Sequence, residues 1–174
     1  MGRNPETFMK LTRYTDYALR VLIYLSLNPG RQCSIAEIAA GYGSSENHLM
    51  KVVQQLAREG FVLSTRGRGG GIKLGMPAEK IRVGAVVRVT EPDMDLAECG
   101  TCVIRGVCGL TPVFSRASSA FLNVLDEVTL ADVVQSGDAL MAQLRLGLKP
   151  AKRGRTAGKR PLPARRGARS GAAA

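Results

Sequence analysis

The sequence predicts a mainly α-helical protein with a small β-hairpin, arranged as a winged helix-turn-helix plus a long dimerisation helix. Two observations predict this fold. Three helical patterns, with a tight turn between the second and third, precede a glycine-rich hairpin pattern, which is the order typical of a winged helix-turn-helix. A later helical pattern carries more apolar surface than one small domain can cover, which predicts packing against a second copy of the chain.

Three helices are predicted before the hairpin. Apolar residues recur at helical spacing from Thr12 to Asn28. A second helix starts at Ser34, because Ser34 and Glu37 have the spacing of a capping box, in which each side chain accepts a hydrogen bond from an unpaired backbone N–H. A third helix is capped by Ser44 or Ser45. Its apolar stripe consists of Leu49, Val52, Val53 and Leu56.

Strand patterns follow the third helix. Apolar residues alternate over 61–65 and again over 72–74, which predicts two strands joined by the glycine-rich run 66–71. Glycine permits positive φ and a close approach of the backbone to a ligand. The tip carries Arg66 and Arg68, which suit a DNA phosphate or a narrow minor groove.

The sequence divides into four segments. The winged helix-turn-helix occupies residues 9–82, and residues 83–110 are expected to form a short helix and a cysteine-bearing loop. Residues 111–148 are expected to form the dimerisation helix and a C-terminal helix. Residues 149–174 are rich in Lys, Arg, Gly, Pro and Ala, a composition that predicts a disordered basic tail.

Both helices expected after the cysteine-bearing loop have recognisable starts. Thr111 is expected as the N-cap of the long helix, with Pro112 at its first helical position. The last helix is expected from Leu130 to Leu146, capped by Thr129, with Asp132 three residues further on.

The charge distribution favours a nucleic-acid partner. The net charge is +11, and nine basic but no acidic residues lie in 149–174. This excess predicts attraction to DNA phosphates through counterion release, or alternatively a solubilising extension. No apolar run is long enough to span a membrane, and the N-terminal residues lack the apolar core of a secretory signal. With four cysteines, these features favour the reducing cytoplasm, where thiols bind metals more often than they form disulfides.

One face of the third helix is predicted to contact double-stranded DNA. Opposite its apolar stripe, this helix carries Asn47, Lys51, Gln54 and Arg58. Asn and Gln pair with adenine, whereas Lys and Arg suit guanine or phosphate. Because N-terminal residues of a recognition helix reach base edges, the base-reading candidates are Ser45, Asn47 and Lys51. The alternative is a solvated polar face without a partner.

Three cysteines are candidate ligands of one metal centre. Cys99, Cys102 and Cys108 have the spacing C-x2-C-x5-C. Zinc favours four nitrogen or sulfur ligands, and the single histidine, His48, lies on the third helix, which makes a Cys₃His site awkward. Iron–sulfur clusters are held chiefly by thiolates, so a cluster here needs one further ligand. A disulfide would leave one of the three thiols unpaired, and Cys33 is expected to be a small buried residue.

Taken together, these motifs resemble the iron–sulfur winged-helix repressors, most closely their nitric-oxide-sensing members. The matching segments are MKLTRYTDYALR (9–20), SENHLMK (45–51), RGRGGG (66–71), CGTCVIRGVC (99–108) and TLAD (129–132). The resemblance covers about residues 9–134. It begins at Met9, which leaves both Met1 and Met9 open as the start of translation.

The resemblance implies a homodimer that binds a DNA operator and holds one iron–sulfur cluster per subunit. The implied cluster ligands are Cys99, Cys102, Cys108 and Asp16 of the partner subunit. Nitric oxide would attack the cluster and release the DNA, so the protein would be a repressor and not an enzyme. The close spacing of the first two cysteines leaves 2Fe–2S and 4Fe–4S clusters both open.

Two other functions stay open on the sequence alone. The same architecture could sense iron, cluster status or redox in place of nitric oxide. A small iron–sulfur electron carrier is a function of a different class, and the recognition helix and wing argue against it because a carrier needs neither. A hydrolytic enzyme is disfavoured, since a single histidine on a helix flank offers no nucleophile–base pair.

Overall fold

The computed structural model describes residues 10–147, and within them it confirms a mainly helical chain with one β-hairpin. The helices are α1 (Arg13–Ser26), α2 (Ile35–Tyr42), α3 (Glu46–Arg58), α4 (Val83–Thr90), α5 (Leu110–Glu127), α6 (Leu130–Val133) and α7 (Gly137–Gly147). The strands are β1 (Val62–Thr65) and β2 (Gly71–Leu74). The expected basic tail at 149–174 and the choice between Met1 and Met9 lie outside the described residues.

The hydrophobic core is built around α1. Its buried side packs against α3, α4, α6 and β2. The predicted stripe of α3 is buried as a whole, with Leu49 and Leu56 at most 1% exposed. Because one side of α3 is fixed in this core, its opposite side is held outward in a defined orientation.

The N-cap of α2 forms differently from the sequence expectation. The Ser34 hydroxyl accepts a hydrogen bond from the backbone N–H of Glu37 at 3.1 Å, as predicted. The Glu37 carboxylate, however, pairs with the Arg31 guanidinium at 2.6 Å. Both partners of this pair are ionised, which holds the carboxylate toward Arg31, and only the Ser34 half of the predicted capping box forms.

The hairpin has the register Val62↔Leu74, Leu63↔Lys73, Ser64↔Ile72 and Thr65↔Gly71. A bridge between Cys33 and Ile72 attaches it to the segment that precedes α2. A Cβ added at Gly71 would lie 2.7 Å from the Cys33 carbonyl oxygen, so this close approach requires glycine. The Phe61 N–H also donates to the Leu56 carbonyl at 2.9 Å, which joins the hairpin to the end of α3. The wing is thus fixed relative to α3.

Two predicted helix boundaries in the C-terminal part are wrong. The long helix α5 begins at Leu110, so Thr111 lies in its first turn, and its buried hydroxyl has no partner among the described residues. The helix expected from Leu130 to Leu146 is two helices, α6 and α7, separated at residues 134–136. The Thr129–Asp132 capping box of α6 does form. The next helix begins at residue 137, where the Ser136 carbonyl accepts a hydrogen bond from the Leu140 N–H at 3.0 Å. Ser and Gly at 136–137 favour helix ends over interiors, which explains the break.

A bidentate ion pair joins α5 to α4. Arg88 donates from both terminal nitrogens to the two Asp126 carboxylate oxygens, each at 2.6 Å. The Arg88 guanidinium beside it holds the pKa of Asp126 below its usual range. Gly84 faces the same carboxylate, which leaves no room for a side chain at that position. The helix that follows the cysteine-bearing loop is therefore fixed to α4 at its C-terminal end.

Candidate DNA-binding surface and metal-binding loop

The outward side of α3 carries most of the predicted DNA-contacting residues. Ser45 is the N-cap residue, but its side chain makes no capping hydrogen bond, so its hydroxyl is exposed. Asn47, Lys51 and Gln54 are also exposed, and their side chains make no hydrogen bond to any other residue within 10–147. These polar groups are free to pair with an external ligand.

Arg58 differs from these residues. Its guanidinium donates to the Gln55 side-chain oxygen at 3.1 Å, and Gln55 in turn donates to Glu59 at 3.1 Å. The far end of α3 therefore satisfies its own polar groups, and the free groups lie in the first three turns of the helix.

The wing presents two exposed cations. Arg66 and Arg68 lie in the turn between β1 and β2. Gly67 and Gly69 within this turn have φ of 96° and 78°, values that side-chain-bearing residues rarely adopt. The Gly70 N–H closes the turn on the Gly67 carbonyl at 2.9 Å. The glycines thus form a tight tip from which both arginines extend into solvent.

The structure also brings residues of α1 beside α3 that the sequence reasoning missed. The Tyr14 hydroxyl donates to the backbone carbonyl of Lys51 at 3.1 Å, and the Tyr17 and His48 rings stack with centroids 6.1 Å apart. Burial raises the pKa of Tyr14 above its ordinary value. The aromatic and basic residues at 13–17 were the available signal, but their proximity to α3 depends on tertiary packing.

The cysteine-bearing loop lies between α4 and α5. Cys99 begins a short 3₁₀ turn, and its carbonyl accepts from the Cys102 N–H at 3.3 Å. Cys102 is exposed, Cys99 and Cys108 are partly exposed, and all three thiols are free. Among residues 10–147, no three His, Cys, Asp or Glu side chains are placed to hold a metal ion. Within one subunit, the three cysteines are therefore available as ligands but are not arranged around a common metal site.

The donor chemistry of this loop nevertheless fits an iron–sulfur cluster. Three free thiols occur within ten residues, and thiolates are the ligands that such clusters use. The apolar side chains between them point into solvent, with Val103 99% and Val107 90% exposed. The thiols of this loop can therefore act as ligands, and its apolar side chains can shield a bound group from water.

Asp16 lies near the start of α1. Its carboxylate accepts from the Arg20 Nε at 2.9 Å, one turn along the helix. Both side chains are more than 40% exposed. A surface pair of this kind contributes little to stability, so the Asp16 carboxylate is available to a stronger partner.

Cys33 is unlike the loop cysteines. It is fully buried in the core, and burial raises the pKa of its thiol to about 11. This agrees with its expected role as a small buried residue.

A thiol-labelling order follows from this difference. Since the thiolate is the reactive form, iodoacetamide at pH 8 is expected to alkylate Cys99, Cys102 and Cys108 of the metal-free protein well before Cys33. Mass spectrometry of timed samples measures the order. Labelling of Cys33 at the rate of Cys102 in the folded protein would contradict the buried position.

None of the helices in residues 10–147 is long and apolar enough to cross a membrane.

Comparison with known proteins identifies the family. The sequence pattern of Rrf2, described as an iron-dependent transcriptional regulator, matches residues 11–136. The chain belongs to the Rrf2 family. It is 49% identical over 144 residues to the HTH-type transcriptional regulator NsrR of Bacillus subtilis strain 168, covering 79% of this chain and 99% of that protein.

Solved structures support the same Rrf2-family fold. CymR, the global cysteine regulator of B. subtilis, matches with a TM-score of 0.63 and 28% identity, over 74% of this chain and 98% of that one. IscR of T. potens matches with a TM-score of 0.62 and 28% identity, over 78% of this chain and 91% of that one. The chain is therefore a DNA-binding transcriptional regulator of the Rrf2 family and not an enzyme.

Proposed function

We propose that this Rrf2-family regulator is a homodimeric repressor that binds its operator with an iron–sulfur cluster in place and releases the DNA when nitric oxide attacks the cluster. The observation that carries this proposal is the group of three free thiols between the DNA-binding domain and α5. Its resemblance to the nitric-oxide-sensing members of the family supports nitric oxide as the effector. Free thiols and a DNA target together favour the reducing cytoplasm.

The DNA-contacting groups are assigned to α3 and the wing. Asn47 and Gln54, on the outward side of α3, would pair with base edges in the major groove, and Ser45 would contact the DNA at the start of the helix. Arg66 and Arg68 would contact phosphates or a narrow minor groove. Lys51 lies beside Asn47 and would also contact the DNA.

Cys99, Cys102 and Cys108 would hold the cluster, either 2Fe–2S or 4Fe–4S, with Asp16 of the partner subunit as the fourth ligand. When bound, the cluster would supply iron that reacts with nitric oxide. A carboxylate is a harder and weaker partner for this iron than a thiolate, so the Asp16 position is suited to an exchangeable ligand.

The exposed apolar side of α5 supports the dimer. Leu110, Val113 and Val124 are 56%, 51% and 61% exposed, and no residue of this 18-residue helix is buried within the described chain. Apolar residues at this spacing are typical of a helix that packs against another helix. A second copy of α5 would cover them.

Contacts within one subunit would couple the cysteine-bearing loop to α3. Glu91, at the start of that loop, accepts hydrogen bonds from the Thr12 N–H at 2.7 Å and the Thr12 hydroxyl at 3.2 Å. The Thr15 hydroxyl donates to Thr90 at 2.9 Å in the buried layer below. Since Tyr14 connects the same turn of α1 to α3, a rearrangement of the loop would be transmitted to the DNA-binding helix.

The test of this function is an anaerobic titration with nitric oxide. The full chain is purified anaerobically, its visible spectrum is recorded, and a duplex that it binds is selected from a random-sequence library. Nitric oxide is expected to bleach the cluster absorbance and to release the duplex over the same range of added gas. If an oxidant or an iron chelator released the duplex but nitric oxide did not, the protein would sense redox state or iron and not nitric oxide. Unchanged binding after loss of the cluster would contradict sensing through a cluster.

Replacing Asp16 with Ala tests the fourth ligand. The Asp16→Ala protein is expected to retain a cluster, held by three thiolates, with an altered visible spectrum and altered nitric oxide reactivity. Arg20→Ala is the matched control, because it removes the same surface ion pair and leaves the carboxylate in place. A wild-type spectrum in an intact Asp16→Ala dimer, or the same change in both variants, would contradict the ligand role.

A further inference from the structure

An open cavity lies at the junction of α1 and α3. Its volume is about 240 Å³. Its lining consists of Arg13, Tyr14, Tyr17, His48 and Lys51. The bond from the Tyr14 hydroxyl to the Lys51 carbonyl fixes one side of the cavity, and the stacked rings of Tyr17 and His48, inclined at 19°, form another. Two helices that are distant in sequence thus contribute to one built concave surface.

The charge of this cavity selects an anion. Arg13 and Lys51 are both exposed cations, and neither has an acidic partner within residues 10–147. The lining contains no acidic side chain. Arg31 and Arg88, by contrast, each pair with a carboxylate at 2.6 Å. Two free cations converging on one hydrogen-bonding cavity favour a ligand with a single compact negative charge.

The position of the cavity along α3 indicates which anion. At about 100° per residue, Lys51 lies about 40° and 60° around the helix from Asn47 and Gln54, in the direction of His48. A helix of roughly 10–12 Å diameter nearly fills a major groove about 12 Å wide. Its outermost side then faces the bases, and its flanks face the phosphate walls. Asn47 lies nearest the direction opposite the apolar stripe, with Gln54 and Lys51 about 30° to either side of that direction, and the cavity extends from Lys51 toward His48, about 90° around the helix on the flank.

We propose that Arg13 and Lys51 jointly bind one backbone phosphate of double-stranded DNA in this cavity. The proposal rests on the DNA-binding function proposed above and deepens it. Lys51 then contacts a phosphate, in place of the base contact expected from the sequence alone. Because α1 holds one side of the phosphate, this contact sets the depth and register at which α3 enters the groove.

The experiment replaces single phosphates with neutral methylphosphonates. A duplex is first selected from a random library with the anaerobically purified full chain. If no duplex is selected, the DNA-binding function is wrong, and the phosphate site proposed here is wrong with it. Each phosphate of the selected duplex is then neutralised in turn. One position is expected at which neutralisation weakens wild-type binding, weakens Arg13→Ala and Lys51→Ala less, and has no further effect on the double variant. The double variant is expected to lower the slope of log affinity against log salt by about 1, the value for one phosphate.

Two control variants test whether the effect depends on the charge at position 51. Lys51→Arg retains the charge and is expected to restore sensitivity to that methylphosphonate. Arg58→Ala removes a cation of the same helix that already pairs with Gln55, and it is expected to leave that sensitivity as in the wild type. Circular dichroism checks that these exposed substitutions leave the helices intact. The shared phosphate site would be overturned if Lys51→Ala lost the sequence preference at one base pair. It would also be overturned if Arg13→Ala and Lys51→Ala lost sensitivity to neutralisation at different phosphates.

Discussion

Replacing Cys102 with Ser is expected to abolish the visible absorbance of the cluster and every response of DNA binding to nitric oxide. Cys102 is the central and most exposed of the three loop cysteines, and the fourth cysteine, Cys33, is buried in the core. The hydroxyl of serine is a much poorer ligand for iron than a thiolate. Anaerobic purification followed by iron and sulfide analysis measures the loss, and Cys99→Ser and Cys108→Ser are expected to behave in the same way.

Cys33→Ala is the matched control for this experiment. It removes a thiol of the same chain that is buried in the core and lies outside the cysteine-bearing loop. This variant is expected to lose some stability, because it leaves a small cavity, and to keep a wild-type spectrum. A cluster that survives in Cys102→Ser or disappears in Cys33→Ala would contradict the assignment of the ligands.

The local elements could be predicted from the sequence because short-range patterns determine them. The stripe from Leu49 to Leu56 has a strict helical period, and the run 66–71 has glycines where the turn needs positive φ. The break between α6 and α7 was missed because Leu130–Leu146 keeps enough helical spacing to look continuous. Ser136 and Gly137 weaken that pattern only at one point.

The site could be predicted only where its residues are close in sequence. The three loop cysteines form a visible motif, and the polar residues of α3 share one helical face. The cavity beside Lys51 was not foreseen, because Arg13 and Lys51 come together only when α1 packs on α3. The capping box of α2 was also predicted incompletely, because the Ser34–Glu37 pattern does not include Arg31, which pairs with Glu37 in the structure.

Two anchors frame the segment that would carry the cluster. Glu91 joins its start to Thr12, and the Arg88–Asp126 pair fixes the far end of α5 to α4. Between these anchors, the backbone hydrogen bonds within residues 97–108 join near neighbours, as in the Cys102-to-Cys99 turn. A longer-range bond, from the Ser118 hydroxyl to the Met94 carbonyl at 2.8 Å, lies outside this stretch. Residues 97–108 can therefore change conformation when a ligand leaves, while the flanking contacts transmit the change to both anchors.

Leu56→Ala is expected to lower the free energy of unfolding by about 2–5 kcal/mol. Leu56 is fully buried at the end of the α3 stripe, and its carbonyl accepts the bond that starts the hairpin, so the cavity left by the substitution lies below both DNA-contacting elements. Denaturant unfolding monitored by circular dichroism measures the change.

Gln54→Ala on the exposed side of the same helix provides the comparison that separates stability from recognition. It is expected to alter the free energy of unfolding by less than about 0.5 kcal/mol, because surface substitutions without partners rarely do more. It is also expected to weaken binding to the selected duplex by about 1–3 kcal/mol and to relax the preference at one base pair. Equal unfolding losses in the two variants would mean that α3 has no outward side free for DNA. Unchanged binding by Gln54→Ala would restrict base contacts to the first turns of the helix, because Asn47 would then remain the base-reading side chain on that face.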